Sequence, residues 1–281
     1  MMAAARLGPI CGMASSWIAP RFWPSPLAAI GSPPPQGLVL GIGGAGAAVG
    51  AALRRRGATV VQVQAPRLPL GRFDCVVVNR HDRIAGPNVI TTRTALHRVT
   101  PARLAEARET WLPRLAHLPR PLLAVLVGGS NGRFRLERAE GEALAGSLAA
   151  LMRRDGAGVA VTPSRRTAPA VRAALERELR PLGACVWDMT GENPYLGLLA
   201  CADAIVVTAD SVSMVSEAAA TAAPVLVAAL PGRSRRIGEF LDGLTRDGRV
   251  RPFTGRLETW ETAPLDDTAA AAAELRHRLR L

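Results

Sequence analysis

The chain contains no lysine. Its 35 basic residues are all arginine, set against 23 acids, for a formal net charge of +12 over 281 residues. Such an excess attracts phosphate, anionic lipid or nucleic acid. Aromatic residues are also scarce, with five Phe, five Trp and one Tyr. Base-stacking surfaces need more than that, and the arginines are scattered rather than blocked, so the composition argues against nucleic acid as a partner. Four cysteines, Cys11, Cys75, Cys185 and Cys201, include no Cys-x-x-Cys pair. That excludes a disulfide framework or a cysteine metal site from the reading. It points to a reducing compartment, with Cys75, Cys185 and Cys201 as inert core residues and no metal. No stretch reaches the roughly 20 apolar residues of a membrane span. The expected location is cytoplasmic, peripheral at the inner membrane at most.

Acidic residues are absent from residues 1–36, which hold Arg6, Arg21, Trp17, Trp23 and several prolines. They read as an irregular lead-in, with a targeting segment and a misplaced start both left open. The whole chain is 48% hydrophobic, enough for one large core or two medium ones. Strand-like runs alternate with Ala/Leu/Arg helical stretches, the pattern of an α/β protein with parallel sheets.

In the first half, a strand over Leu38–Leu40 leads into Gly41-x-Gly43-x-x-Gly46, a helix to about Arg56 and a strand over Thr59–Val63. This is the position of a dinucleotide fingerprint. The acid expected near the end of the second strand is missing, and Gln64 stands there, so a tight turn with close helix packing is the better reading. The next strand, Asp74–Val78, delivers Asn79, Arg80, His81 and Asp82 to a loop at its carboxyl end. His81 and Asp82 are the candidate general bases, histidine being the side chain best placed for proton transfer near neutral pH. Asn88–Thr92 reads as extended, and Pro101 opens a helix to about Leu112. Leu115–Pro121, with two prolines, reads as an interdomain linker.

The second half restarts with the apolar run Leu122–Val127 and the loop Gly128-Gly129-Ser130-Asn131. Those glycines allow backbone N–H groups to approach a phosphate, and Ser130 adds a hydroxyl. Strand Val159–Thr162 ends at Ser164-Arg165-Arg166-Thr167. The arginine pair there suits bidentate contacts to a diphosphate, and Thr167 is expected to cap the following helix. Cys185–Trp187 is a short strand, and Asn193 with Pro194 opens a helix to Ala200.

The stretch Ala202–Gly232 organises this half. Ile205–Thr208 is a β-branched strand; Ala209, Asp210 and Ser211 break it. Ser211 or Ser213 can cap a helix that carries Met214 and Glu217 and runs to about Ala222. Val225–Ala228 is the next strand. A helix N-terminus beyond the carboxyl end of a parallel strand favours an anion, and ligands of open α/β sheets sit there. Ser213 and Glu217 are four apart, on one helix face. A basic-then-amphipathic helix over Arg233–Gly248 and an Ala-rich helix to Leu281 complete the chain.

From Phe73 to about Thr268 the sequence resembles the family of plant mitochondrial-fission (elongated mitochondria) proteins and their bacterial relatives. The matching stretches are Arg80-His81-Asp82 with Gly86 to Val89, Ala95 to Thr100, and Gly128 to Asn131. They continue through Thr162 to Thr167, Glu192 to Tyr195 and Thr208 to Ala218. The resemblance implies two Rossmann-like domains in a GT-B-like arrangement: 37–118, then 119–265 as the nucleotide-binding domain, with 266–281 packing back on the first. Gly128 to Ser130 and Ser216-Glu217 with Pro224 also resemble, more distantly, the donor-binding half of the N-acetylglucosaminyltransferase that makes lipid II. There the matching Gly-Gly-Ser holds diphosphate and the matching Glu holds ribose hydroxyls.

The family's opening strand with its Thr-Asp-Gly-Lys-Ala-Gly loop is not found where residues 1–36 stand, and an incomplete amino-terminal domain is the expectation. Two functions stand side by side. One is a glycosyltransferase-like protein that needs no cofactor and takes a nucleotide-diphospho-sugar as donor in the interdomain cleft. Its acceptor would be a cell-envelope or lipid-linked molecule at a membrane surface. The other is a non-catalytic protein of the same fold that recruits partners at a membrane.

Overall fold

The computed structural model describes residues 37–281; the lead-in expected over 1–36 lies outside them. The chain divides into two units. One ends at Thr92 and regains Thr268–Leu281; the other is Arg93–Asp267.

In the first unit, strands β1 (Leu38–Ile42), β2 (Thr59–Val63), β3 (Cys75–Asn79) and β4 (Val89–Thr92) form a parallel sheet in chain order. Helix α1 (Gly43–Arg54) connects β1 to β2. Val60, Val76 and Val78 pack with Ala47, Ala51 and Phe73 to make the core. The last helix, Thr268–Leu279, lies against β4, and Arg278 donates to the carbonyls of Pro87 (3.1 Å) and Val89 (3.0 Å).

The second unit carries helix α2 (Pro101–Trp111) and then five strand–helix repeats. These are β5 (Leu122–Val127), α3 (Arg138–Asp155), β6 (Gly158–Pro163), α4 (Pro169–Leu179), β7 (Cys185–Val186), α5 (Tyr195–Cys201), β8 (Ala204–Thr208), α6 (Val212–Ala219), β9 (Val225–Ala228) and α7 (Arg235–Arg246). Strand β10 (Val250–Pro252) closes the sheet. All six strands are parallel, in the order β10-β9-β8-β5-β6-β7. Counted from β5 this is the 3-2-1-4-5-6 order of a doubly wound sheet, with its reversal between β5 and β8.

Every residue of β5, β6 and β8 is buried, because helices cover both faces. Period-two alternation splits them between two cores. Leu122, Ala124, Leu126, Ile205 and Val207 face one; Leu123, Val125, Val127, Ala204 and Val206 face the other.

The structure departs from the sequence reading in several places. Leu115–Pro121 is not an interdomain linker. Leu115 and Leu118 are buried in the second unit, and Gly158 approaches Pro119 so closely that a Cβ there would lie 2.3 Å from its carbonyl oxygen. The division falls at 92/93 rather than 118/119, because α2 packs on α5 with Trp111 seated over Gly197. Cys185 is exposed: on the edge strand β7, Ala184 and Val186 take the inward positions and Cys185 the outward one. Helix α6 stops at Ala219, short of Ala222, where Arg249 meets its last carbonyls.

Candidate functional site

The reversal between β5 and β8 brings the loops after β5, β6 and β8 to one edge of the second unit's sheet. Asp210, whose side chain is fully buried, joins them. Its carboxylate accepts from the Gly129 N–H (3.2 Å), the Thr208 hydroxyl (2.7 Å) and Arg166 Nη2 (2.8 Å). Arg166 Nη1 also donates to the Gly129 carbonyl at 3.1 Å, and Asn131 Nδ2 to the Asp210 carbonyl at 3.4 Å. Both glycines are required by this close approach. A Cβ at Gly128 would lie 2.1 Å from Asp210 Oδ1, and one at Gly129 would lie 2.1 Å from the Arg166 carbonyl oxygen.

This network changes the roles expected for these residues. The N–H groups of Gly128 and Gly129 are engaged by Thr208 (2.8 Å) and Asp210 rather than open to a phosphate. Ser130 accepts from the Leu136 N–H and donates to Glu137, both at 2.8 Å. The side-chain oxygen of Asn131 accepts from the N–H groups of Arg133 and Phe134. Of the arginine pair, Arg166 is drawn to Asp210 with its side chain still 45% exposed, and Arg165 is exposed. Thr167 is not a helix cap. That position belongs to Ala168, while the buried Thr167 hydroxyl bonds the carbonyls at the end of β5 and accepts from the Ser164 N–H at 2.8 Å. Ser164 Oγ in turn accepts from the Arg166 N–H at 3.2 Å.

Helix α6 begins beside this network. Ser211 is its cap and accepts from the Met214 N–H at 3.3 Å. The N–H groups of Val212 and Ser213 belong to the first turn, where helical geometry supplies no acceptor. No acidic residue stands in that turn, so none of its own side chains offsets the positive end of the helix dipole. Ser213 is exposed.

Glu217, one turn further on, is half-buried and accepts the Tyr195 hydroxyl through Oε2. Burial first, then the charge and hydrogen bond of Glu217, hold the tyrosine well above its ordinary titration range. Asn193 is exposed, and its side-chain oxygen accepts the Tyr195 N–H at 3.0 Å.

At the far end of α6, Arg249 is buried, with no carboxylate partner among the described residues. Its guanidinium donates to the carbonyls of Ala218, Ala219, Thr221 and Ala223 at 2.7–3.2 Å. Burial pushes its ionisation down to about 10. Ser216 Oγ accepts the Ala95 N–H at 3.0 Å, and the Ala219 carbonyl accepts the Leu265 N–H at 2.8 Å. Helix α6 is thus held at both ends and along one side.

His81 and Asp82 belong to the first unit, in a one-turn helix at the end of β3. Their side chains are only 5% and 2% exposed. Asp82 accepts the Asn79 N–H at 3.2 Å and closes the turn, and His81 Nε2 lies 3.8 Å from Asp82 Oδ1. The glycine loop of this unit is filled from within. Gln62, fully buried, donates to the carbonyls of Gly43 (3.2 Å) and Val63 (2.7 Å). A Cβ on Gly41 would lie 2.6 Å from Gln62 Oε1 and 2.9 Å from the Gly46 carbonyl. Among the described residues no group of three His, Cys, Asp or Glu is placed to hold a metal ion, and no helix is long and apolar enough to cross a membrane.

Asp210 was already a candidate from its place after β8; Thr208 and Arg249, which carry the architecture with it, are picked out by no spacing rule. Tyr195 was marked by closing the matching stretch Glu192 to Tyr195 and by being the chain's single tyrosine.

A solved structure titled as a putative UDP-N-acetylglucosamine 2-epimerase from Listeria monocytogenes is similar over 91% of this chain and 77% of its own. The TM-score is 0.52 and the identity 15%. At that identity the likeness shows the fold: GT-B-like, with two Rossmann-like units. A family model described as Mitochondrial fission ELM1 matches residues 3–279, and the chain belongs to that family. It is 35% identical over 247 residues to the mitochondrial fission protein ELM1 of Arabidopsis thaliana, covering 78% of this chain and 58% of that relative's length. An uncharacterized protein of Rickettsia prowazekii is 24% identical over 262 residues, 79% of this chain and 73% of its own.

Proposed function

We propose that the second unit binds a nucleoside diphosphate, carried by a nucleotide-diphospho-sugar, at the edge formed by the loops after β5, β6 and β8. The observation that carries this reading is the start of α6. It stands next to the reversal of strand order, with no acid in its first turn and a half-buried carboxylate one turn further on. Val212, Ser213 and the exposed Arg165 would receive the phosphates. Glu217 would receive the ribose hydroxyls. Arg166 neutralises the buried Asp210, so that this carboxylate does not repel an anion. In a transfer reaction the same donors would stabilise the diphosphate as it leaves.

A second reading, a protein of this fold that binds without transferring, is favoured by one observation. His81 and Asp82, the candidate bases, have almost no exposed side-chain surface, whereas a general base must reach the acceptor hydroxyl.

Thermal shift and calorimetry with UDP, other nucleoside diphosphates and NADP test the binding. UDP leads the panel because the similar solved structure is titled for a UDP-sugar. Arg165→Ala should weaken nucleoside-diphosphate binding roughly ten-fold, the loss of one charge-assisted contact. Stabilisation by NADP alone, or unchanged affinity in the variant, would overturn the reading. Release of sugar from a bound UDP-sugar in the presence of envelope lipids separates transfer from binding.

A further inference from the structure

Glu217 is the residue on which recognition of a ribose depends in the reading above, yet a glutamate on a helix surface has several rotamers and no fixed aim. Here it has one. Tyr195, the first residue of α5, donates its hydroxyl to Glu217 Oε2. The tyrosine is itself set from both sides. Its backbone N–H is held by Asn193 at 3.0 Å, and its ring packs on the apolar core with Leu196 and Ala200. Because burial and the neighbouring carboxylate oppose its ionisation, it stays a hydrogen-bond donor across the whole working pH range. Glu217 Oε2 keeps a second lone pair, and Oε1 makes no hydrogen bond among the described residues; a carboxylate has about four acceptor positions in all.

We propose that Tyr195 is a positioning residue. It fixes the Glu217 carboxylate so that its remaining acceptor positions meet the two adjacent hydroxyls of a ribose, and it thereby sets a preference for ribonucleotides over dideoxyribonucleotides. The inference rests on the nucleotide-binding reading above. A vicinal diol needs two acceptors at fixed separation, and a carboxylate tethered through one oxygen offers that geometry before the ligand arrives. Pre-organisation of this kind improves affinity by removing the cost of ordering the side chain on binding. A tyrosine that merely joined α5 to α6 would instead affect every ligand of the site equally.

The test is calorimetry on the full chain, with UDP and with 2′,3′-dideoxy-UDP, for the parent, Tyr195→Phe and Glu217→Gln. Tyr195→Phe should weaken UDP binding by about five- to ten-fold, in the range of one hydrogen bond. It should leave dideoxy-UDP within about two-fold, and so should Glu217→Gln. Equal losses for both ligands in Tyr195→Phe, or no loss for UDP, would overturn this role for Tyr195 while leaving the nucleotide site standing. A parent chain that binds neither ligand would overturn both.

A second measurement leaves the fold intact. Since the chain has one tyrosine, growth on 3-fluorotyrosine places a single fluorine resonance at Tyr195. That resonance should move on addition of UDP and much less on addition of dideoxy-UDP. Equal movement would overturn the proposal.

Discussion

Removal of Asp210 is the most informative perturbation of the second unit. In Asp210→Ala, the Gly129 N–H and the Thr208 hydroxyl lose their acceptor in a buried setting. Each orphaned buried donor costs about 1–3 kcal/mol. The Thr208 hydroxyl can turn to another acceptor, which puts its share at the low end. Arg166 also loses its partner, but its side chain is 45% exposed and water replaces the contact, so that share is under about 1 kcal/mol. The expected loss is therefore about 3 kcal/mol.

Arg166→Ala leaves the carboxylate buried with two neutral donors. Breaking a fully buried pair costs about 3–5 kcal/mol; the exposure of Arg166 brings this nearer to about 2 kcal/mol. The double variant has no buried charge to compensate, so its loss should fall short of the sum by about 1 kcal/mol or more. Urea unfolding followed by tryptophan fluorescence reads this directly, since Trp111, Trp187 and Trp260 lie in the second unit. Midpoints should shift at constant slope. Losses below about 1 kcal/mol for Asp210→Ala, or strict additivity, would refute the reasoning.

Two further outcomes are expected. Arg249→Met keeps the bulk but strips four carbonyls around the end of α6 of their donor; it should cost about 3 kcal/mol by denaturant titration, with Arg249→Lys in between. Asp267 gives a pH signature. Burial pushes its carboxyl up, but the hydrogen bonds and charge of Arg93 outweigh that and hold it below the usual range. A depressed folded pKa stabilises above the unfolded value, about 4, and the contribution vanishes as pH falls through the folded value. The stability gap between the parent and Asp267→Asn should accordingly shrink between about pH 5 and pH 2; a gap constant across that range would contradict the assignment.

Much of the fold was legible because buried parallel strands announce themselves. Leu122–Val127, Ile205–Thr208 and Val225–Ala228 are short apolar runs bounded by Gly, Asp or Pro, and each became a strand. The boundary between units was not legible. Thr92-Arg93 carries no punctuation, and what marks the position is the pairing of Arg93 with Asp267 (2.6 Å), 174 residues away. Prolines at 119 and 121 suggested a linker, while Leu115 and Leu118, three apart, were already the better signal of a buried face. Strand β10 escaped notice because three residues, one of them proline, carry no periodicity.

At the candidate site the residue types were legible and their engagements were not. Gly128 and Gly129 looked like phosphate ligands because a close approach requires glycine; the approach is to Asp210 and Arg166. Ser211 as a cap followed from its position before an apolar helix, whereas the contact between Tyr195 and Glu217 joins two elements 22 residues apart and no local rule gives it.

The central claim is that a nucleoside diphosphate sits on the start of α6. A crystal structure of the chain with UDP tests it most directly. The account predicts diphosphate oxygens within hydrogen-bonding distance of the Val212 and Ser213 N–H groups, and ribose hydroxyls on Glu217. A nucleotide seated on the Gly41–Gly46 loop, or anywhere that leaves α6 untouched, would contradict it.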